Sequence, residues 1–381
     1  RDDMRAGGMI AEFNPLHNGH VYALHQARQL GQADVVVVVM SGNYVQRGEP
    51  ALIDKWTRAE AALVSGADVV VELPTTDAVQ AADGFAAGAV ALLTALGVDQ
   101  LAFGSEAPEI DYLGLAQAVA AAPPSKNLFQ DFTETYATQL NHYYQQTAGV
   151  SLTAPNLLLG LSYAQAALAQ PQPMKLLAFA RQGAGHDAAQ AQGNFASGSA
   201  IRRRVAAGDS VAALVPPAMA SGLAKRLQTW DDLFPLLRYR LQTADLAALR
   251  QVYTMSEGLE YRLTQQLAGA KDFAGYMAQI KSKRYTFARM RRLCLYVTLN
   301  LTRAVMADAT AHRYLHVLGF TPAGRAYLNA VKKEVSLPLI TKVAADMIAP
   351  GGMMYAQQRA DNLYETLVGT RQNYGRIPLM K

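Results

Sequence analysis

The sequence predicts an α/β protein: an open parallel sheet with crossover helices, followed by an all-helical C-terminal region. Three observations predict it. Through the first half of the chain, short β-branched runs alternate with Ala- and Leu-rich segments at helical spacing. After about Arg204 that alternation stops, and long helical pattern broken by Gly319, Pro322, Pro338 and Pro350-Gly351-Gly352 replaces it. The charge divides at the same place. Residues 1–207 hold 12 Lys/Arg against 18 Asp/Glu, a balance of −6, and 208–381 hold 23 against 12, a balance of +11, which together make the +5 of the 381-residue chain. The expected domains are therefore 4–207 and 208–381; Arg1-Asp2-Asp3 ahead of Met4 read as a tag remnant or mis-set start and stay outside the fold argument.

Taken in order, the first strand is expected at Gly8-Phe13 and leads into helical spacing over 18–31. Asp34-Met40 contains five consecutive valines, a run too branched to prefer a helix and apolar enough to be buried on both faces. A helix over 55–66 precedes the strand Ala67-Leu73, and a helix over 77–97 precedes Asp99-Gly104. Residues 105–170, rich in Ala, Gln and Tyr and carrying Pro123-Pro124 and Pro155, read as a helical excursion before the fifth strand at Met174-Ala180. Such units give right-handed crossovers and a Rossmann-like sheet, with its ligand crevice at the carboxyl ends of the strands.

With 51% hydrophobic and 17% charged residues, the chain is neither disordered nor fibrous. A single thiol, Cys294, excludes an internal disulfide, a Cys-rich zinc site and a Cys-x-x-Cys redox pair, and fits a reducing, cytoplasmic compartment. The longest apolar runs fall far short of the ~20 residues of a spanning helix, so no membrane role is expected. No obligate protein partner is evident.

The chemistry concentrates in Glu12-Phe13-Asn14-Pro15-Leu16-His17-Asn18-Gly19-His20, between the first strand and its helix. A helix N-terminus presents backbone N–H groups and positive dipole to an anion, a glycine lets the chain come close, and His17 and His20 can donate to the oxygens of a triphosphate. Two histidines three apart could share a metal, but no third ligand is suitably spaced, so no metal site is assigned. This H-x-G-H turn resembles the signature of class I nucleotidyltransferases and aminoacyl-tRNA synthetases, whose sheet domain binds ATP and promotes attack on its α-phosphate.

Further clusters narrow the resemblance: Ser41-Gly42-Asn43-Tyr44-Val45-Gln46-Arg47-Gly48-Glu49-Pro50, Asp54-Lys55-Trp56 with Arg58, Phe103-Gly104-Ser105-Glu106, Pro155-Asn156, Arg181-Gln182-Gly183-Ala184-Gly185-His186-Asp187, and Ala196-Ser197-Gly198-Ser199-Ala200-Ile201-Arg202. With Lys283-Arg284-Tyr285-Thr286, Val317-Leu318-Gly319-Phe320-Thr321 and Gly324-Arg325, they make the chain similar from Met4 nearly to its end to the bacterial tRNA(Met) cytidine acetate ligase family. The resemblance implies activation of acetate by ATP to acetyl-adenylate, with pyrophosphate released, and acetyl transfer to N4 of the wobble cytidine, C34, of elongator tRNA(Met). It implies an ATP site formed by Ile10, Ala11, Glu12, Phe13, Asn14, Pro15, Leu16, His17, Asn18, Gly19, His20, Val21, Tyr22 and Ala23, with Gly104, Asn156 and Arg181.

The residues themselves suit that chemistry. Acetate brings its own negative charge, so the protein needs phosphate neutralisation and positioning rather than a nucleophile. His17, His20 and Arg181 are the expected catalytic set; Arg202 adds positive field, and Ser197 and Ser199 add donors at a helix start. Magnesium is expected with the ATP. Gly104 would leave room for a nucleobase or ribose. Arg47 or Lys55 could hold the carboxylate or phosphates, the alternative being a solvated loop with Lys55 and Arg58 on an exposed helix face. Glu12, His186 and Asp187 are the candidates for accepting the cytidine proton.

In the basic half, six cations with no acid fall in residues 281–292: Lys281, Lys283, Arg284, Arg289, Arg291 and Arg292. As a helix this stretch would put Lys281, Arg284, Arg291 and Arg292 near one face for RNA phosphates, with Tyr285 and Phe287 stacking on bases or, preferably, packing inward. Arg203 and Arg204 lie at the junction that an RNA entering the site would pass. Two other readings stay open: a small-molecule adenylyltransferase using the same turn, and a tRNA-binding protein with a decayed nucleotide site.

Overall fold

The computed structural model describes residues 4–121, 142, 145, 146, 155–183, 193–256 and 258–381. Its centre is a sheet of eight strands: β1 (Ala6–Ala11), β2 (Val35–Ser41), β3 (Val69–Leu73), β4 (Gln100–Ser105), β5 (Lys175–Ala180), β6 (Leu315–Phe320), β7 (Leu339–Ile340) and β8 (Leu379–Met380). The first five run parallel in the order β3-β2-β1-β4-β5, with β2 fully buried. Alternate side chains of the valine run serve opposite layers. Val35, Val37 and Val39 face a core shared with Phe85, Ala89 and Leu93 of α3 (Ala82–Ala95) and with Leu161 and Ala164 of α5 (Pro155–Leu168). Val36, Val38 and Met40 face Leu24 and Ala27 of α1 (Asn18–Leu30) and Ala59 and Leu63 of α2 (Lys55–Val64). Burial on both faces is why the run is apolar without alternation. The helix expected over 77–97 is interrupted at 79–81 and runs as α3 from Ala82. Within the expected excursion lie α4 (Tyr112–Ala121) and α5.

From Gly198 the chain is helical, as expected, through α6 (Gly198–Ala206), α7 (Trp230–Thr243), α8 (Phe273–Ile280), α9 (Phe287–Leu299), α10 (Arg303–Ala311) and shorter turns between them. It then returns to the sheet. β6 pairs antiparallel with β3, Val69 opposite Phe320 and Val71 opposite Val317, and β7 and β8 pair with β6. The helices α11 (Pro322–Val331) and α12 (Tyr355–Val368) follow β6 and β7 respectively. The C-terminal part is therefore helical with three late strands: the reading of this region as all-helical missed Leu315–Phe320 because the strand that joins it to the main sheet, β3, lies about 250 residues away.

Two buried cations lie side by side at the centre, and one of them, Lys55, ties the halves together. Lys55, placed by a helix start that Asp54 caps at Thr57 N, is fully buried, with its Nζ 2.7 Å from Glu72, 3.0 Å from Asp361 and 2.7 Å from the Asn373 amide oxygen. His316 of β6 closes the cluster at 3.1 Å from Glu72, and Asn43 donates to Asp361 and Gln372. Arg58, one turn further on, is also fully buried and donates to the carbonyls of Ile53, Glu12, Ser41 and Gly42. The exposed face considered for Lys55 and Arg58 is therefore corrected, as is any role for Lys55 in holding substrate: its charge is consumed by two carboxylates inside the protein. Burial alone would raise the Glu72 carboxyl, but Lys55 and His316 outweigh it and hold the pKa down at about 2.

A carboxylate held below its unfolded pKa stabilises the fold above that value and loses the contribution as pH falls toward the folded one. Urea-unfolding free energy should therefore decline between about pH 4.5 and pH 2, and Glu72→Gln should flatten that decline while lowering stability at neutral pH. Asp361→Ala, which leaves a buried ammonium short of one partner, should cost about 3–5 kcal/mol at pH 7 in the same measurement.

Candidate active site

At the carboxyl end of β1 the chain turns at Phe13, which takes a left-handed backbone (φ 51), and passes the cis Asn14–Pro15 bond. Asn14 Oδ1 accepts from Leu52 N at 2.9 Å, fixing the turn against the loop before α2. His17 then caps α1: its Nδ1 accepts from Gly19 N, and His20 Nδ1 accepts from His17 N, each at 3.1 Å. A capping box usually built from Ser or Thr and Glu is here made of two histidines. Their rings stack at 3.7 Å between centroids, with the Phe13 ring edge-on to His20 at 5.0 Å. The hydrogen bonds assign the tautomer. A nitrogen accepting an N–H must hold a lone pair, so each neutral ring carries its proton on Nε2. Two Nε2–H donors thus stand at a helix N-terminus, where the dipole favours an anion. Gly19 is needed because a Cβ there would lie 2.9 Å from His17 Cε1.

These groups open on a cavity of about 240 Å³ at the strand ends. Of the residues expected for ATP, Ile10, Ala11, Glu12, Phe13, Asn14, Pro15, His17, Gly19, His20, Tyr22, Ala23, Gly104, Arg181, Ser199 and Arg202 line it. Four others stand behind it. Leu16 is fully buried and Val21 packs on the same core. Asn18 donates to the carbonyls of Asn194 and Ala213 at 2.8 and 2.9 Å, tying α1 to the chain around α6. Ser197 caps α6 at Ala200 N and lies 3.1 Å from the Ser199 hydroxyl. Asn156 is the second residue of α5, and its side chain, like His186 and Asp187, lies outside the described residues. At Gly104 the space left open belongs to Arg181, whose Cγ a Cβ would meet at 2.9 Å.

The sequence reading did not place Phe103, Tyr163 and Phe179 in the site, nor Val45 and Glu49. Phe103 and Phe179 sit in strands and look like core, their signal being their position near the strand ends, whereas Tyr163 comes from the middle of α5. The polar rim is a hairpin, Tyr44–Val45 paired with Glu49–Pro50, that also carries Gln46 and Arg47 into the cavity wall. Behind it, Trp230 Nε1 donates to Gly48 O at 2.7 Å and Arg292 donates to Gln46 O at 3.3 Å.

Glu12 is the more deeply buried of the two carboxylates in the cavity wall, and it accepts from Ser41 Oγ at 2.9 Å and Gln46 N at 2.8 Å, both on Oε2. Burial raises its pKa against these two donors. Arg202 donates to Asn14 O at 2.8 Å and approaches Glu49 at 4.0 Å, while Arg291 approaches the other Glu49 oxygen at 3.8 Å.

The basic stretch is not one helix. Residues 281–286 form a turn closed by a bridge between Ser282 and Tyr285, and α9 begins at Phe287. Lys281 and Arg284 therefore do not share a helical face with Arg291 and Arg292, which turn toward the rim hairpin. Thr286 caps a new helix there and ends any continuity with the turn. Lys281 and Lys283 are exposed, and Arg284 and Arg289 flank the buried Tyr285 ring at 5.6 and 4.3 Å. Of the aromatics, Tyr285 packs inward and Phe287 points out. Arg203 and Arg204 occupy the last turn of α6.

A family model described as HIGH Nucleotidyl Transferase matches residues 4–376. The chain is 49% identical over 381 residues to the tRNA(Met) cytidine acetate ligase of Latilactobacillus sakei, covering 99% of this chain and 97% of that one. The chain belongs to the HIGH nucleotidyl transferase family, among its tRNA(Met) cytidine acetate ligases. The Lactiplantibacillus plantarum member is 45% identical, with 98% of each chain covered. Crystal structures of Thermotoga maritima TmcAL, 28% identical with 99% of each chain covered, superpose with TM-scores of 0.88 for the apo form and 0.84 for the form bound to alpha-thio ATP. The family's H-x-G-H turn is here the histidine capping box.

That geometry separates two roles of His17. His17→Asn keeps a capping side chain and should change stability by no more than about 0.5 kcal/mol in thermal unfolding. It lacks the Nε2–H donor, so calorimetric affinity for a nucleoside triphosphate should fall by about tenfold or more. An unchanged affinity would show that His17 only caps the helix.

Proposed function

We propose that this protein activates acetate with ATP and transfers the acetyl group to N4 of C34 in elongator tRNA(Met), giving N4-acetylcytidine. The observation that carries the proposal is the pair of Nε2–H donors on one helix N-terminus, inside a cavity whose rim hairpin is shared with the basic helical region. In the first step an acetate oxygen attacks the α-phosphorus and pyrophosphate leaves, with His17, His20 and Arg181 stabilising the charge that builds on the phosphates. In the second, cytidine N4 attacks the acetyl carbonyl, AMP leaves, and the N4 proton passes to a base. Glu12 is the base supported by its place in the cavity wall and by an elevated pKa that improves a carboxylate as proton acceptor.

Among the described residues no three His, Cys, Asp or Glu side chains gather to hold a metal ion. Magnesium would enter with the ATP phosphates as part of the substrate. Among the same residues no helix is long and apolar enough to cross a membrane; the tRNA substrate puts the reaction in the cytoplasm on this reading. Arg284, Arg289, Lys281 and Lys283, with Arg203 and Arg204, remain the proposed RNA contacts. Arg291 and Arg292 are assigned instead to holding the rim, and no further protein is required.

The test is to incubate the protein with ATP, labelled acetate and bulk bacterial tRNA, following label into RNA and pyrophosphate into solution. Label should enter RNA, and pyrophosphate should appear with acetate alone. No label in RNA at any salt concentration would refute the reading and leave a small-molecule adenylyltransferase. His20→Ala should abolish both signals. Charge reversal at Arg284 and Arg289 should preserve pyrophosphate release and cut RNA acetylation by at least tenfold; equal loss of both would refute the division of labour.

A further inference from the structure

We propose that Phe287 is a stacking platform for an unpaired nucleobase of the RNA, set beside the rim of the cavity. The inference rests on the tRNA reading above and goes beyond it by naming a contact that is neither ionic nor part of the basic cluster itself.

Phe287 opens α9 one residue after its cap, Thr286, and is 44% exposed, although the same helix buries Met290, Leu293, Cys294 and Val297. A single exposed ring is ordinary on a protein surface; the surroundings of this one set it apart. Lys281 Nζ lies 4.0 Å from the ring centroid, the turn before α9 adds Lys283 and Arg284, and the first turn of α9 adds Arg289, held over the buried Tyr285 ring at 4.3 Å. The stretch 281–292 contains no acid. An apolar partner surface would meet this ring amid four cations; a single-stranded polyanion with π-faces matches both its ring and its charge.

The ring is also in the right place. Arg291 is four residues on, hence on the same helical face about 6 Å along the axis. Arg291 stands 3.8 Å from Glu49, which lines the cavity. Phe287 is therefore one helical turn outward from the rim, where a nucleotide near the target cytidine would pass. The helix is fixed in that position by the hairpin, because a Cβ at Gly48 (φ 79) would collide with the backbone of Arg291 and Arg292. Gly48 thus sets how closely the ring can approach the cavity.

The experiment compares Phe287→Ala, Phe287→Leu and Phe287→Trp in the full-length protein, with elongator tRNA(Met) as the probe. Phe287→Ala should raise KM for tRNA by about tenfold, the loss of one base stack. Pyrophosphate release with acetate and no RNA should be unchanged. Phe287→Trp should restore KM and Phe287→Leu should not, since stacking needs a π-face. The slope of log KM against log salt should stay as in the unsubstituted protein, whereas Lys283→Ala should reduce it by about one. An unchanged KM in Phe287→Ala, or rescue by Leu equal to that by Trp, would overturn the stacking proposal while leaving the tRNA reading intact. Failure of the unsubstituted protein to acetylate tRNA would overturn the tRNA reading instead.

Discussion

Burying an ammonium and a guanidinium one helical turn apart is the constraint around which this molecule is organised. Lys55 and Arg58 have no contact with water, and an uncompensated buried charge would cost several kcal/mol. Lys55 is satisfied only when Glu72 of β3, Asp361 of α12 and Asn373 beyond it converge, with His316 of β6 completing the Glu72 carboxylate. Those partners come from both halves of the chain. Neither half can satisfy the charge alone, so the C-terminal part is anchored to the catalytic sheet by electrostatics as well as by strand pairing. Arg58 works differently, collecting four carbonyls from the ends of β1 and β2 and the loop before α2, and so holds the crevice open at a defined width.

The active site inherits its order from that frame. The β1 turn that carries the histidines is gripped at the Glu12 carbonyl by Arg58, at Asn14 by Leu52 and Arg202, and at Asn18 by the carbonyls of Asn194 and Ala213. With the turn held at these points, the two Nδ1 atoms are committed to the backbone and both rings line the cavity. Preorganised donors of this kind are where most catalytic stabilisation of developing charge arises. The rim hairpin is the second shared part: one side forms the cavity wall, and the other is bound by Trp230 and Arg292 of the helical region. A shift of the C-terminal helices would therefore be felt at Gln46, Arg47 and Glu49, next to Glu12.

Charge asymmetry acquires a finer meaning in three dimensions. The cluster at 281–292 looked like a single RNA-facing helix, yet the cap at Thr286 splits it. Lys281 and Lys283 before that cap are exposed, whereas after it Arg291 and Arg292 brace the rim and Arg289 lies over the Tyr285 ring. A sequence window counts charges; only the helix start decides which way they point.

What the sequence by itself determined is what local physics controls: five strands from period and branching, the crossover helices between them, and the histidine-glycine-histidine turn at the one place in an α/β sheet where anions bind. Most of the cavity wall was legible for the same reason, since strand ends in this topology converge on one crevice. Tertiary structure alone decided the rest. Leu315–Phe320 became a strand because β3 offered an unpaired edge, not because of any pattern of its own. Lys55 lies at the centre of the molecule and not on the exposed face that was one of its two readings, because its partners are up to 318 residues away in sequence; Arg58 is buried beside it by carbonyls 5 to 46 residues away. Phe287 was left outside while Tyr285 went in, since burial of a side chain depends on which surface arrives opposite it, and that surface is assembled only when the whole chain has folded.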